Sequence, residues 1–146
     1  GGTYNYEIAG AMQGVTEVPA GSYALMDGKY QHNRKQFVNA ARVMACVTSI
    51  PEAGKVITDA GRKAIGADSG DPNIDQLPGA SVSGLSAEHG NLVFDANFAH
   101  NLKLADRVWF IPNNIAGTVN VHDYIFAVRD RKLKEVWELP ARGRYR

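Results

Sequence analysis

A chain of 146 residues, 45% of them apolar and 21% charged, is long enough to bury a hydrophobic core and too ordinary in composition for disorder. Its formal net charge of +1 supplies no basic face for nucleic acid, and no apolar run approaches the roughly 20 residues that cross a bilayer. The single cysteine can form no internal disulfide, so a reducing, cytoplasmic setting is expected.

The opening Gly1-Gly2-Thr3-Tyr4-Asn5 has neither the basic nor the apolar region of a secretion signal, and with no initiator Met a processed or truncated chain is expected. Residues 1–30 are rich in glycine and small side chains. Their short apolar runs, Ala9-Gly10-Ala11-Met12 and Tyr23-Ala24-Leu25-Met26, are broken by Gly14 and by Pro19-Ala20-Gly21, which predicts connecting loops and short strands.

Residues 36–50 fit two patterns. Phe37, Ala40, Ala41 and Met44 share a helical face, whereas Val43, Ala45 and Val47 alternate as a strand does, and Pro51 is expected to end the element in either case. Cys46 lies in this apolar run and reads as a small buried core residue rather than a nucleophile. Lys55-Val56-Ile57-Thr58, rich in β-branched residues, predicts a strand that closes in a turn at Asp59-Ala60-Gly61.

From 66 to 79 the chain is dense in Gly, Asp, Pro, Ser and Asn, the composition of a solvated loop. Strand-like runs follow at 81–85, 91–94, 107–111, 124–128 and 133–139. Tyr124, Phe126 and Val128 would share one face, Leu133 and Trp137 one face of the next strand, with Arg129-Asp130-Arg131-Lys132 as the turn of a hairpin. Short strands at this spacing indicate a barrel or a sandwich.

The residues alone define no site. Gly1-Gly2-Thr3 fits the end of a phosphate cradle, where glycines let backbone N–H groups reach an anion, and equally fits a linker. Ala20-Gly21-Ser22-Tyr23 sets two hydroxyls beside a glycine and equally fits a turn with a half-buried tyrosine. His89 reads as part of a turn before a strand. His122-Asp123 offers imidazole and carboxylate, but neighbours on a strand point to opposite faces, so joint ligation needs a loop or bulge there. The chain has no P-loop, dinucleotide loop, His-Glu-x-x-His or nucleophile elbow.

Several stretches, in order and across nearly the whole chain, resemble the C-terminal portion of the D-threonine aldolase / D-serine dehydratase family, part of the alanine racemase-like (fold type III) pyridoxal-phosphate enzymes. They are Gly1-Gly2-Thr3, Thr16-Glu17-x-x-Ala20-Gly21-Ser22-Tyr23-x-x-Met26-Asp27-x-x-Tyr30, Asp59-Ala60-Gly61-x-Lys63-Ala64 and Ser86-x-Glu88-His89-Gly90. The remainder are Asp106-Arg107-Val108, Ile111-Pro112-Asn113, Val119-Asn120-Val121-His122-Asp123, Val128-Arg129-Asp130 and Ala141-Arg142-Gly143-Arg144.

The resemblance implies a mainly β fold: a C-terminal β-barrel or sandwich-like domain over residues 31–146, preceded in residues 1–30 by the last βα turns of an α/β (TIM-type) barrel that is otherwise absent. It settles residues 36–50 toward strand. It also implies that Gly1, Gly2, Thr3, Ser22 and Tyr23 contact the phosphate of pyridoxal phosphate at the barrel mouth.

By the same resemblance, the lysine that forms the Schiff base belongs to the start of the barrel, so no catalytic residue is assigned here. Lys63 belongs to a β-domain motif, and this stretch alone is expected to be inactive. Family members carry a His, then a Cys or Asp two positions on, as ligands of a divalent ion that orients the substrate's β-hydroxyl. Asn114 and Ala116 stand at those positions, so a metal is not expected.

The implied function is that of a pyridoxal-phosphate lyase, aldolase or dehydratase, for β-hydroxy-D-amino acids such as D-threonine or D-serine. The alternatives are a metal-free amino-acid racemase and a non-catalytic β domain used in dimer formation. The implied partners are a small D-amino acid and either the missing N-terminal barrel or a second subunit of a homodimer, with neither nucleic acid nor membrane. His122 and Asn114 are the local candidates for the role of the lost ion.

Overall fold

The computed structural model describes residues 1–95 and 100–144. The N-terminal segment forms one short helix, α1 (Tyr6–Ala11), and two single 3-10 turns, Ser22–Ala24 and Gly28–Tyr30. It contains no strand, contrary to the short strands expected there: the first apolar run is taken into α1 and the second begins as the 3-10 turn Ser22–Ala24.

The remainder is mostly strand: β1 (Val43–Glu52), β2 (Lys55–Thr58), β3 (Asn73–Asp75), β4 (Ala80–Leu85), β5 (Gly90–Phe94) and β6 (Arg107–Ile111). After the helical turn α2 (Ile115–Val119) come β7 (Tyr124–Arg129) and β8 (Lys132–Glu138). The first six strands form one sheet in the order β3-β6-β1-β2-β5-β4, with every pairing antiparallel. Its edge strands β3 and β4 also touch each other, so the sheet nearly closes into a barrel.

Alternation along the strands fills the barrel. On β1, Ala45 and Val47 are each 2% exposed while Met44, on the opposite face, is 49% exposed. Val56, Leu92 and Phe110 are fully buried beside them, with Val108, Leu85, Ala60 and Ile65 completing the core. Residues 36–42 lie outside the strand, which begins only at Val43. Cys46 falls on the opposite side of β1 from Ala45 and Val47 and is half-buried rather than a core residue, its backbone N–H donating to Asp59 Oδ1 at 2.7 Å.

Two further expectations are corrected by the pairing. Pro51 does not end β1: the register shifts between Ser49 and Glu52, and in such an irregularity the missing proline N–H costs no ladder bond. Within the loop at 66–79, Asn73–Asp75 is a strand, paired with Ile111, Phe110 and Trp109 of β6. Three residues among Gly, Asp and Pro give no periodic signal, and the partner edge supplies the order.

β7 and β8 form the expected hairpin as a separate two-stranded sheet. Tyr124, Phe126 and Val128 share a face as expected, and all three are exposed. Leu133 and Trp137 do not share one. A register shift after Ala127 sets Trp137 opposite Ile125 and Leu133 opposite Val128, on different faces of the ribbon.

The motifs at 59–64 and 86–90 meet in space. Arg62 and Lys63 donate their backbone N–H groups to the carbonyls of Ser86 and Ala87, and the Lys63 ammonium pairs with Glu88 at the surface. A Cβ on Gly61 would lie 2.5 Å from both His89 N and Ser86 O, so only glycine permits this approach. His89 closes the turn as expected, its N–H donating to Ser86 Oγ at 3.0 Å.

The same substitution therefore has opposite effects at two glycines. Gly61→Ala should lower stability by about 1–3 kcal/mol through the backbone clash. Gly10→Ala, where a Cβ meets nothing within 4 Å on α1, should raise it by about 0.5–1 kcal/mol. Urea denaturation of the two variants measures both signs.

Candidate functional site

The two glycine-hydroxyl motifs are joined by a hydrogen bond between residues 20 apart in sequence. The backbone N–H of Tyr23 donates to Thr3 Oγ1 at 3.1 Å, and Thr3 is 3% exposed. Because that oxygen accepts from Tyr23, the Thr3 hydroxyl keeps its proton for another acceptor. The N–H of Gly2 is committed to Asn5 Oδ1 at 2.8 Å, and the Ser22 carbonyl accepts from Met26 N at 2.7 Å. Beside Gly21 there is open space, with no heavy atom within 4 Å of an added Cβ. A half-exposed Tyr23 packs its ring against Phe37, centroids 5.8 Å apart. Thr3 and Ser22 therefore offer hydroxyls at an open glycine turn, a donor set that suits a phosphate group.

Four residues beyond Tyr23 the chain docks onto the end of β6. Gly28 N donates to Pro112 O at 2.8 Å, and the buried carboxylate of Asp27 accepts the N–H of Ile115 at 2.8 Å. A Cβ at Gly28 would sit 2.8 Å from Asn113 Oδ1, so the contact requires glycine. This junction ties the segment that follows Tyr23 to the start of α2.

Asn114 caps α2. Its Oδ1 accepts from Gly117 N at 2.9 Å, and its Nδ2 donates to Asp68 Oδ2 at 2.6 Å. The side chain is 9% exposed. Thr118 completes the turn, donating to the Asn114 carbonyl at 2.8 Å and accepting from Gly66 N at 3.1 Å. A Cβ on Gly66 would lie 2.7 Å from the Gly117 carbonyl carbon, so the loop lies flat on α2.

This donor set does not fit a divalent ion. The Asn114 amide oxygen is spent on the helix cap, its nitrogen faces a carboxylate, and Ala116 presents a methyl group. Among the described residues no three of His, Cys, Asp and Glu converge to hold a metal. His122 and Asp123 do not act together: the His122 ring meets the Ala64 carbonyl at 2.8 Å through Nε2, while Asp123 pairs with Arg142 at 3.1 Å.

Sequence reasoning missed Asp27, Asp68 and the helical turn α2. An Asn before a short apolar stretch is the ordinary N-cap signal and was present at Asn114. Asp68, 46 residues away, carried none.

A family model described as "Putative serine dehydratase domain" matches residues 40–128. The chain is 37% identical over 147 residues to a D-threonine aldolase from Arthrobacter sp, covering 98% of this chain and 38% of that protein. It is 31% identical over 153 residues to a 3-hydroxy-D-aspartate aldolase from Paracoccus denitrificans, covering 99% of this chain and 39% of that protein. It thus spans about two fifths of the length of these curated relatives.

Among solved structures, a D-threonine aldolase from Filomicrobium marinum matches 99% of this chain and 41% of its own at 34% identity, with a TM-score of 0.89. A D-threo-3-hydroxyaspartate dehydratase from Delftia sp. HT23 matches 94% of this chain and 42% of its own at 26% identity, with a TM-score of 0.78. A D-threo-3-hydroxyaspartate dehydratase with one cysteine replaced by alanine is known in a metal-free form.

Removing the cap should weaken this region more than removing the charge beside it. Asn114→Ala should cost about 1–2 kcal/mol, through the lost cap and the uncovered Gly117 N–H. Asp68→Asn, which keeps an oxygen for the Asn114 amide, should cost less than about 0.5 kcal/mol at its exposed position. Thermal melts of the two variants decide the order.

Proposed function

The chain belongs to the serine dehydratase domain family, and from that premise we propose that the intact protein is a pyridoxal-phosphate-dependent lyase for β-hydroxy-D-amino acids such as D-threonine or D-serine. The relatives are aldolases and a dehydratase by name: D-threonine aldolase, 3-hydroxy-D-aspartate aldolase and D-threo-3-hydroxyaspartate dehydratase. The observation that carries the reading is the Tyr23–Thr3 hydrogen bond, which joins the two predicted phosphate motifs into one cradle.

In this reading Thr3 and Ser22 donate their hydroxyls to the cofactor phosphate. Gly21 leaves room for it, Gly1 and Gly2 bring the backbone before Thr3 alongside, and the Tyr23 ring closes one side. Pyridoxal phosphate, when bound, supplies an electron sink for the pair left on Cα. Residues 1–30 then belong to the cofactor-binding barrel and residues 31–146 to the β domain. Lys63 is no candidate for cofactor attachment, being paired with Glu88 at the far motif junction.

Chemistry at the substrate's β-hydroxyl falls to protein groups, because Asn114 and Ala116 do not suit an ion. The same two residues favour one second reading, a metal-free amino-acid racemase on this scaffold. A homodimer in the cytoplasm is part of the proposal. It is supported by the apolar side chains left exposed on β7 and β8 and by the lack, among the described residues, of a helix long and apolar enough to cross a membrane.

The full-length protein, loaded with pyridoxal phosphate, should release acetaldehyde and glycine from D-threonine, or pyruvate and ammonia from D-serine, equally with and without chelator. Formation of the L-enantiomer with no carbonyl product would favour the racemase, and inertness toward both substrates would refute the lyase. Thr3→Val should raise the dissociation constant for the cofactor about 10- to 100-fold, as expected for one charge-assisted hydrogen bond, read by fluorescence titration.

A further inference from the structure

Resting on the lyase reading, we propose that the carboxylate of Asp68 receives the substrate's β-hydroxyl, accepting its hydrogen bond and, in carbon–carbon cleavage, its proton. Asp68 is the one carboxylate that reaches the Asn114 side chain among the described residues, with Oδ2 at 2.6 Å from Nδ2. That is the position where the family resemblance puts the imidazole ligand of the hydroxyl-orienting ion. The structure therefore sets an anionic oxygen where the relatives' pattern would set a cation.

The arrangement leaves the carboxylate available. A carboxylate has about four acceptor positions, and the Asn114 amide uses one. Asp68 has no ion pair among the described residues, since the nearby Lys29 ammonium is turned to Ser69 Oγ at 3.2 Å. A neutral amide donor orients the group without cancelling its charge. Asn114 is itself immobilised by burial and by its cap to Gly117, so the carboxylate is held from a rigid element.

Gly117 makes the space. A Cβ there would come within 3.2 Å of Asp68 Oδ1 and 3.3 Å of Asn114 Nδ2, crowding both partners. Asp68 is exposed while its partner Asn114 is buried, so the carboxylate stays accessible beside a fixed donor. The Asp27–Ile115 and Gly28–Pro112 bonds anchor this turn a few residues from Ser22 and Tyr23. His122, the other local candidate, has its Nε2 engaged by Ala64 O.

In aldol cleavage the β O–H bond breaks and its proton passes to Asp68. The oxygen pair closes the carbonyl of the departing aldehyde as Cα–Cβ breaks, and the released pair stays on Cα, where the pyridoxal cofactor is the sink. A proton then returns to Cα to give glycine. Atoms and charge balance with no further reagent.

The test uses the full-length, cofactor-loaded protein and Asp68→Asn, which keeps an acceptor for Asn114 but cannot take the proton. D-threonine is compared with D-2-aminobutyrate, identical but for the hydroxyl. We expect kcat for acetaldehyde release to fall about 100-fold or more, with cofactor absorbance and melting temperature unchanged. By calorimetry, the tighter binding of D-threonine over D-2-aminobutyrate should shrink in the variant, and Asp68→Glu should recover part of both.

An Asp68→Asn protein that keeps kcat within about threefold and the same binding preference overturns the assignment. So does a wild type that binds the two ligands equally. If no aldehyde forms in either protein but the binding preference is present and lost with Asp68, the lyase reading fails while the hydroxyl contact stands.

Discussion

The buried carboxylate of Asp27, holding the backbone N–H of Ile115 across 88 residues of sequence, is the interaction on which the arrangement of the molecule turns. A carboxylate at 8% exposure is costly without donors, and this one finds its donor at the first residue of α2. A hydrogen bond to a charged group contributes about 1.5–3 kcal/mol, enough to fix where a glycine-rich segment lies. Gly28 N on Pro112 O and Asn39 Nδ2 on Met26 O extend the same seam on either side. Met26, fully buried at φ 62, shows that the seam outweighs a backbone conformation a side chain disfavours. Without it, the segment bearing Ser22 and Tyr23 would have no fixed relation to the barrel.

The barrel itself explains how motifs far apart in the sequence come together. Asp59-Ala60-Gly61 and Ser86-x-Glu88-His89-Gly90 are two faces of one backbone contact, where Gly61 and Gly90 each admit a carbonyl that a Cβ would exclude. Their role is geometric. The same holds for Thr58, fully buried, whose hydroxyl donates to Gly90 O at 3.2 Å. Elsewhere the contacts run pairwise, from Thr3 to Tyr23, from Asp27 and Gly28 to Ile115 and Pro112, and from Asn114 to Asp68.

Much of this was legible in the sequence, for physical reasons that differ from element to element. β2, β5 and β6 announced themselves because β-branched and aromatic residues alternate between turn residues, and the observed bounds differ from the expected ones by a residue at most. β3 was invisible because its order comes from the β6 edge, not from its own three residues. The face of Trp137 was misjudged because a register shift in the β7–β8 pairing cannot be read from alternation. Cys46 was misjudged because an apolar run on a strand wall serves two faces, only one of them the core. Gly1-Gly2-Thr3 and Ser22-Tyr23 were legible as separate candidates, but their union needed the fold, since nothing in the sequence says that Tyr23 N–H will find Thr3 Oγ1.

Asn114 shows how one side chain can supply the crosslinks of a turn. Here the amide supplies two: Oδ1 caps Gly117 within the turn, and Nδ2 reaches Asp68 in the loop that lies over it. Asparagine is suited to this because one planar group carries both an acceptor and donors, whereas aspartate would lack the donor and leucine both. Ala116 is exposed on the five-residue helix and adds no crosslink to the turn. The turn and the loop over it are thus joined by a hydrogen-bonded pair whose exposed member, Asp68, is an anion.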